Sequence, residues 1–301
     1  ALVARQAVRD HGPVARLEDV QRQHRVREER ELREREDRER DLGRHRRALL
    51  ASYQYLIVGT IGATFYVIGI GLLYLVTGSL NMVDIASRLG PASAEFSRPV
   101  LAALAFLTVG VCLKLALFPL HVWLPNAYAY APSVATAFLA GTATKVAIYL
   151  LVRIFFSIFG VAISFKTLPV TEVLLVLSVA AMFLASLSAV FEDNGKRMLA
   201  YSSVAQIGYI TLGISLANQS GLTGSIVHLF NHALMKTALF LAMGAVFYRI
   251  GSVQIADLAG VGRKMPWTMA AFVAAGLSII GVPGTAGFIS KWYLALGALE
   301  K

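Results

Sequence analysis

The sequence is poor in charge and almost without cysteine. Charged residues make up 15% of the 301 residues, against about 25% in soluble domains. The single cysteine, Cys112, excludes an internal disulfide and the paired-cysteine pattern of zinc and iron–sulfur sites. Neither a GxGxxG nor a GxxxxGK[ST] phosphate-binding pattern is present. We therefore expect no catalytic centre, no cofactor-binding residues and no metal ligands in this chain.

Hydrophobic residues, by contrast, account for 56% of the sequence. They are concentrated in runs of the length that crosses a bilayer, about 20 mostly apolar residues. From Ala48 onward the sequence predicts an all-α integral membrane protein, a bundle of about seven transmembrane helices. The predicted spans are 49–76, 100–120, 132–159, 171–191, 198–216, 225–248 and 266–296.

Two of these spans are predicted to be broken helices. The second span runs into Pro119 and Pro125, and the run 281–284, GVPG, interrupts the last. Proline removes a helical hydrogen bond and clashes with the preceding turn. At membrane depth, broken helices are tolerated where they pack in protein or line a cavity, and in transporters they point to the ion site.

Residues 1–43 have a different character. Residues 1–50 hold 14 arginines and 11 acidic residues, and 21–41 reads QRQHRVREERELREREDRERD, either a solvated charged helix or a disordered arm. We expect two regions, this Arg/Glu-rich segment over 1–43 and a partial transmembrane domain over 44–301. The abrupt change at about Arg44 suggests a frameshifted reading or a gene-boundary artefact. Because the basic residues lie there or in short loops, the net charge of +10 does not indicate a nucleic-acid partner.

Four lysines lie inside the apolar runs without a carboxylate: Lys114, Lys145, Lys236 and Lys291. A charged side chain at the bilayer centre costs about 3 to 17 kcal/mol, so such lysines face the protein interior or a water-filled path. A lysine near a helix end can instead extend to the interface. That alternative would account for Lys236 or Lys291 alone, but not for Lys114 and Lys145, and we favour a proton or ion path.

Two histidines precede Lys236 on the same predicted helix. His228, His232 and Lys236 follow one another at intervals of four residues and so share one helical stripe. Histidine changes charge near neutral pH without help, and the stripe favours a hydrated proton relay. The alternatives are polar contacts between helices and a metal site from His-x3-His, which no acid or cysteine completes.

Other polar residues near the breaks receive weaker interpretations. The candidate gate residues are His121, Pro119 and Pro283. His121 could equally lie at the membrane interface beside Trp123, where amphipathic rings are common. Three residues at the start of the fifth span are interpreted as helix packing: Ser202, Ser203 and Gln206.

Three ordered motifs carry a resemblance to a known family. The first joins 114–127, KLALFPLHVWLPNA, with 141–145, GTATK; the second is 196–209, KRMLAYSSVAQIGY; the third pairs 228–236, HLFNHALMK, with 281–292, GVPGTAGFISKW. Together they resemble the antiporter-like membrane subunits shared by respiratory complex I (NADH:quinone oxidoreductase) and the multi-subunit Mrp-type Na⁺/H⁺ antiporters. Within that family, the run NAYAYAP is most similar to the D-type subunits of the Mrp antiporters.

The resemblance implies a fold, and the sequence departs from the family pattern at one point. Family members have fourteen helices built from inverted repeats, in which Lys114 would lie on the seventh helix and Lys291 on the twelfth, both broken. This chain would hold about half of such a transporter. The family's essential glutamate on the fifth helix, the partner of Lys114, would precede Arg44, where no apolar span exists.

The resemblance also implies a function. The chain would be a subunit of a monovalent cation (Na⁺)/proton antiporter in the cell membrane, translocating protons through the buried Lys/His relay. Its partners would be the other subunits of a hetero-oligomeric complex, the lipid bilayer, protons and Na⁺. The alternative is a proton-pumping membrane subunit of a complex I-like NADH:quinone oxidoreductase, whose redox chemistry would belong to partner chains. Membership of an enzyme complex is therefore left open.

Overall fold

The computed structural model describes residues 13–95, 97–167 and 170–301. Contacts divide the chain into two units, Ala1–Leu50 and Ala51–Lys301. Residues 1–12 of the charged segment lie outside the described residues. From Pro13 the segment is helical, as the first part of helix α1, Pro13–Thr77.

The second unit is built almost wholly from helices. After α1 follow α2 (Met82–Glu95), α3 (Ser97–Leu115), α4 (Trp123–Tyr130), α5 (Ser133–Val152), α6 (Gly160–Ala162), α7 (Val170–Val190), α8 (Gly195–Ser215), α9 (Gln219–Ile250), α10 (Val261–Lys264), α11 (Pro266–Ile280) and α12 (Ala286–Leu299). Short π-helical stretches, Arg153–Ile158 and Ile163–Thr167, flank α6, and a 3-10 turn covers Ile255–Leu258. Among the described residues, the extended pairing is confined to one isolated bridge, between Asn194 and Gln254.

Five of the seven predicted spans coincide with helices long and apolar enough to cross a membrane. Within the described residues these are His45–Thr77, Ser97–Leu115, Ser133–Ile158, Val170–Val190 and Gln219–Ile250. Helix α8, with 21 residues, reaches about 30 Å at 1.5 Å per residue, the thickness of the hydrocarbon core. The last predicted span is divided into the shorter helices α11 and α12. The predicted all-α membrane bundle is confirmed.

Both predicted helix breaks are present. Helix α3 ends at Leu115, five residues before the predicted end, because Ala116 turns into the left-handed region with φ 61°. The indole of Trp123 donates to the carbonyl of Leu113 at 3.0 Å and ties the two sides of the break together. The second break separates α11 from α12, where Gly281 and Gly284 take φ values of 89° and 90° that other residues rarely adopt.

Close packing of α9 against α12 positions the second break. A Cβ on Gly297 would lie 2.5 Å from the amide nitrogen of Gly221, and one on Gly224 would lie 2.8 Å from the amide nitrogen of Leu294. The side chain of Asn218 also donates to the carbonyl of Gly297 at 2.6 Å. Because these glycines have no side chains, the two helices touch through their backbones. This contact fixes the position of α12 along the axis of α9.

We expect Gly297→Ala to destabilise the protein measurably. Because its new methyl group would meet the backbone of Gly221, the helices must separate, and such overpacking costs about 1 to 3 kcal/mol. Thermal unfolding of the purified assembly in detergent measures the change. Gly276→Ala is the control, since its Cβ would have nothing within 4 Å. Equal melting temperatures for the two variants would contradict the close crossing.

A buried cluster of lysines and histidines

The polar stripe of α9 is entirely buried. His228, His232 and Lys236 each expose 0% of their surface. The two imidazole rings lie nearly parallel, with centroids 6.0 Å apart and an interplanar angle of 7°. One face of this 32-residue helix therefore carries a continuous column of groups that can gain or lose a proton.

Lys236 is held by helix α8. Its ammonium donates to the carbonyl of Leu199 at 2.7 Å and to the hydroxyl of Ser202 at 3.0 Å. A lysine that extends to the membrane interface would keep its amine in water, whereas this amine is enclosed by protein. The interfacial alternative for Lys236 is therefore wrong.

Lys145, on α5, supplies a second buried ammonium to the cluster. It exposes 6% of its surface, and it donates to the carbonyl of Ala140 and, at 3.3 Å, to the hydroxyl of Thr144. Helix α5 packs directly against the stripe of His228, His232 and Lys236 on α9, because a Cβ on Gly141 would overlap the hydroxyl of Thr237, the residue after Lys236, and like charges disfavour one another's protonated forms. These four groups, on two helices, therefore influence one another's charge.

No carboxylate joins this cluster in the described part of the chain. The ion pairs found there, Arg88 with Asp84 and Arg197 with Glu192, involve other residues. The same residues contain no group of three or more His, Cys, Asp or Glu side chains arranged to hold a metal ion. The cluster is therefore a set of basic groups stabilised by neutral hydrogen-bond acceptors.

His228 is hydrogen-bonded on both sides of its ring. Its Nε2 lies 2.8 Å from Oε1 of Gln206, on α8, and its Nδ1 lies 2.8 Å from Oγ of Ser290, on α12. The Ser290 hydroxyl in turn donates to the carbonyl of Gly287 at 2.9 Å. His228 thus connects three helices through polar contacts.

His232 differs from its neighbour because neither ring nitrogen has a hydrogen-bond partner within the described residues. Leaving buried polar atoms unpaired costs about 1 to 3 kcal/mol, and proteins satisfy such atoms with water where protein groups are lacking. The ring is therefore held by packing alone. Both of its nitrogens are available to a water molecule or a proton in the cluster.

Lys291 occupies the second helix break. Its ammonium donates to the carbonyl of Ile280, the last residue of α11, at 3.0 Å, and lies 4.4 Å from the ring centroid of Tyr209. A Cβ on Gly281 would lie 2.9 Å from Cδ of Lys291, so the glycine makes room for the lysine stem. Carbonyls freed at a helix end and an aromatic face both favour a cation. The ring centroid of Tyr209 lies in turn 6.2 Å from that of His228.

Lys114 and the candidate gate residues are not brought into this cluster. Lys114 is exposed at the end of α3, with its ammonium 5.5 Å from the ring centroid of Tyr55. His121 stacks on Phe118, with centroids 5.2 Å apart, while Pro119 and Pro283 are exposed within the two breaks. The path through Lys114 and the gating roles stay predictions.

The interfacial alternative for His121 loses its support. Trp123, the proposed interfacial companion, is 5% exposed and donates to the backbone of Leu113 inside the protein. Nδ1 of His121 is also buried without a hydrogen-bond partner. His121 therefore lies in the packed region of the first break.

Two of the three residues interpreted as helix packing contact the cluster instead. Ser202 binds Lys236 and Gln206 binds His228, whereas Ser203 donates to Leu199 within its own helix, as packing predicts. Ser202 and Gln206 are four residues apart on α8 and so share one face, the same spacing as the α9 stripe. This shared spacing was a sequence signal that the α8 pair could contact the α9 stripe. Ser290, directly before Lys291, was missed altogether.

Comparison with known proteins identifies the family of this chain and several of its relatives. The family described as "NADH:quinone oxidoreductase/Mrp antiporter, TM" matches residues 40–300. The N-type subunit of the NADH-quinone oxidoreductase of Desulforudis audaxviator is 47% identical over 255 residues, 85% of this chain and 50% of the relative. The D-type subunit of the Na(+)/H(+) antiporter of Alkalihalophilus pseudofirmus is 32% identical over 257 residues, 85% of this chain and 51% of the relative.

A solved structure agrees with these sequence relatives. A chain of the Mrp complex from a Dietzia species superposes with a TM-score of 0.76 at 35% identity, covering 84% of this chain and 45% of that one. The described fold is therefore that of the antiporter-like membrane subunits. This chain spans about half the length of the curated relatives that it matches.

Proposed function

The chain belongs to the family of membrane subunits shared by NADH:quinone oxidoreductases and Mrp antiporters, and from that premise we propose that it carries part of a proton path. The predictions of this family and of a multi-pass protein in the cell membrane are confirmed. The observation that carries the proposal is the buried cluster on α5 and α9, which the described residues supply with no carboxylate, together with Lys291 of α12 beside it.

The proposed path follows the electrostatic neighbours within the cluster. His228 stacks on His232, and Lys236 lies one helical turn further along α9. Lys291 lies beside Tyr209, whose ring is close to that of His228. Because like charges disfavour one another's protonated forms, a proton that arrives at one member favours release from the next. Transfer between members then needs water or a side-chain rotation, since the rings are 6.0 Å apart.

Lys114 and the gate residues belong to a wider proposal. The break after α3 places Lys114 at the end of a helix, beside Tyr55 and close to Gly59. In the complete transporter, a carboxylate partner could hold Lys114 as a second switching site. His121, Pro119 and Pro283 lie in or beside the two breaks, and movement of these breaks would open or close the ends of the path.

We propose that the chain works within a hetero-oligomeric membrane complex as part of a cation/proton antiporter, with Na⁺ as the candidate cation. Similarity to the D-type subunit of a Na⁺/H⁺ antiporter supports this assignment. A second candidate is a proton-pumping component of an NADH:quinone oxidoreductase. The 47% identity with an N-type subunit of such an enzyme favours it, and there the electron carriers would lie in partner chains.

Ion flux separates the two candidates. Everted vesicles that contain the complete assembly are loaded with a pH-sensitive dye, and proton movement is started either by NaCl or by NADH. An antiporter responds to NaCl, against a choline chloride control, whereas a redox-driven pump responds to NADH and stops with quinone-site inhibition. Absence of both responses in a correctly assembled complex would contradict proton translocation as the function.

His232→Leu should reduce the proton flux at least about tenfold, a change of ~1.4 kcal/mol in the barrier, because leucine fills the buried site but carries no proton. Phe230→Leu is the matched control, on the same helix but 65% exposed. Flux is measured in the same vesicles, normalised to the amount of assembled complex. Equal flux in the two variants would remove His232 from the path.

A further inference from the structure

We propose that Gln206 and Ser290 are positioning residues that fix the proton-bearing nitrogen of His228 and link its charge to the second helix break. The proposal rests on the proton path described above and adds to it a defined entry and exit point on one imidazole. All three side chains are buried, with exposures of 7% for Gln206 and 0% for His228 and Ser290.

The charged imidazole is satisfied by the contacts present. An imidazolium donates from both nitrogens and accepts at neither. Oε1 of Gln206 is an acceptor 2.8 Å from Nε2. The single proton of the Ser290 hydroxyl is donated to Gly287, so Oγ meets Nδ1 through a lone pair, as an acceptor at 2.8 Å. Both N–H groups of a protonated His228 therefore have partners without any rearrangement.

The neutral imidazole is satisfied by one rotation. If His228 keeps its proton on Nε2, the bond to Gln206 is unchanged, and Nδ1 becomes an acceptor. The Ser290 hydroxyl then turns from the Gly287 carbonyl toward Nδ1. The alternative neutral form, protonated on Nδ1, would leave Nε2 facing another acceptor, the Gln206 oxygen. Gln206 therefore selects the Nε2-protonated form, and the exchangeable proton enters and leaves at Nδ1.

The proton that leaves Nδ1 needs a basic acceptor. The amine of Lys291 is the candidate, since it lies 4.4 Å from the ring centroid of Tyr209, whose ring is in turn 6.2 Å from that of His228, and it follows Ser290 directly in α12. In this step the Nδ1–H bond breaks, a bond forms on the neutral amine, and the positive charge moves from the imidazole to Lys291. The Ser290 hydroxyl keeps one proton throughout and only changes its acceptor.

Rotation of the Ser290 hydroxyl also changes a hydrogen bond to the backbone of the second break. Gly287 lies in the first turn of α12, and its amide donates to the hydroxyl of Ser278 in α11 at 3.3 Å. A side chain at Gly287 would overlap the carbonyl of Ser278, so the two half-helices touch here. Deprotonation of His228 removes the Ser290 bond from the Gly287 carbonyl, and protonation restores it. The charge of His228 is thereby linked to the hydrogen bonding of the break.

Nitrogen NMR of the complete assembly tests this assignment directly. Histidine is labelled with ¹⁵N in its ring, and the signal of His228 is identified by its loss in His228→Gln. At a pH where His228 is neutral, we expect a protonated Nε2 and an unprotonated Nδ1. Gln206→Leu should shift this pattern toward a mixture of both tautomers, while Gln219→Leu, at an exposed position, should leave it unchanged.

Proton flux in variants of Ser290 gives the second readout. Ser290→Ala should lower flux at least about tenfold, and Ser290→Thr, which keeps the hydroxyl, should restore most of it. Ser188→Ala is the control, because its exposed hydroxyl bonds only within its own helix. An unchanged tautomer in Gln206→Leu, or equal flux in the alanine and threonine variants of Ser290, would overturn the positioning role. The expected tautomers in a wild-type assembly that moves no protons would instead overturn the proposed function and leave the assignment standing.

Discussion

Lys145→Met should abolish proton translocation by the assembled complex. Lys145 lies on α5, which packs directly against α9 beside Lys236, because a Cβ on Gly141 would overlap the hydroxyl of Thr237, and a charge so placed disfavours the protonated forms of neighbouring basic groups. Methionine preserves the length and apolar character of the buried stem but removes the charge. We expect a loss of at least about a hundredfold in flux, or ~2.7 kcal/mol, larger than the loss from any single histidine.

The arginine variant separates two roles for Lys145. Arginine keeps a positive charge but does not release its proton in proteins. If Lys145 must itself lose and regain a proton, Lys145→Arg is as inactive as Lys145→Met. If Lys145 acts only as a fixed charge, Lys145→Arg keeps flux. Lys264→Met is the control, at an exposed position in α10. Wild-type flux in Lys145→Met, measured after assembly is confirmed, would remove Lys145 from the mechanism.

Local sequence signals predicted the helices and the α9 stripe well, because both depend on spacing along one chain. The spacing of His228, His232 and Lys236 places them on one face wherever the helix lies, and the glycines at 281 and 284 predicted a break whatever its surroundings. The position of Trp123 was left open for the opposite reason. A tryptophan beside a break is compatible with the membrane interface, and only packing against Tyr55, with ring centroids 5.2 Å apart, shows that it is buried.

Contacts between helices could not be predicted in the same way. The pairing of Ser202 with Lys236 and of Gln206 with His228 depends on the rotation and height of α8 beside α9, which the glycine contacts determine. Gly221 shows the sensitivity, since a Cβ there would lie 2.8 Å from the carbonyl of Gly213 on α8. Lys114 and Lys145 look equivalent in sequence, yet one is exposed and the other is buried.

Backbone carbonyls hold three lysines of the proposed path. Lys145 donates to Ala140, Lys236 to Leu199 and Lys291 to Ile280. A carbonyl stabilises an ammonium through its dipole but, unlike a carboxylate, carries no net charge that would be left behind when the proton departs. Neutral acceptors therefore allow a lysine to be charged or uncharged at modest cost. A carboxylate in contact would trap the charged form.

Ser202→Asp should place a carboxylate in contact with a lysine of the proposed path. The Ser202 hydroxyl lies 3.0 Å from the ammonium of Lys236, so an aspartate there would form a buried ion pair with it. Two unit charges about 4 Å apart attract by about 4 kcal/mol at an effective dielectric constant of ~20, which is roughly a thousandfold in an equilibrium constant. Lys236 would stay protonated throughout the transport cycle, and proton flux should fall by at least about a hundredfold.

Ser202→Asn is the matched control, because asparagine has nearly the same shape as aspartate and offers the ammonium a neutral carbonyl acceptor. We expect it to keep most of the flux and to bind Lys236 as Ser202 does. The double variant Ser202→Asp, Lys236→Met should be inactive as well, since it leaves a buried carboxylate without a partner. Flux is measured in vesicles with equal amounts of assembled complex. If the aspartate and asparagine variants transport equally well, Lys236 does not change its charge during transport, and the path must bypass it.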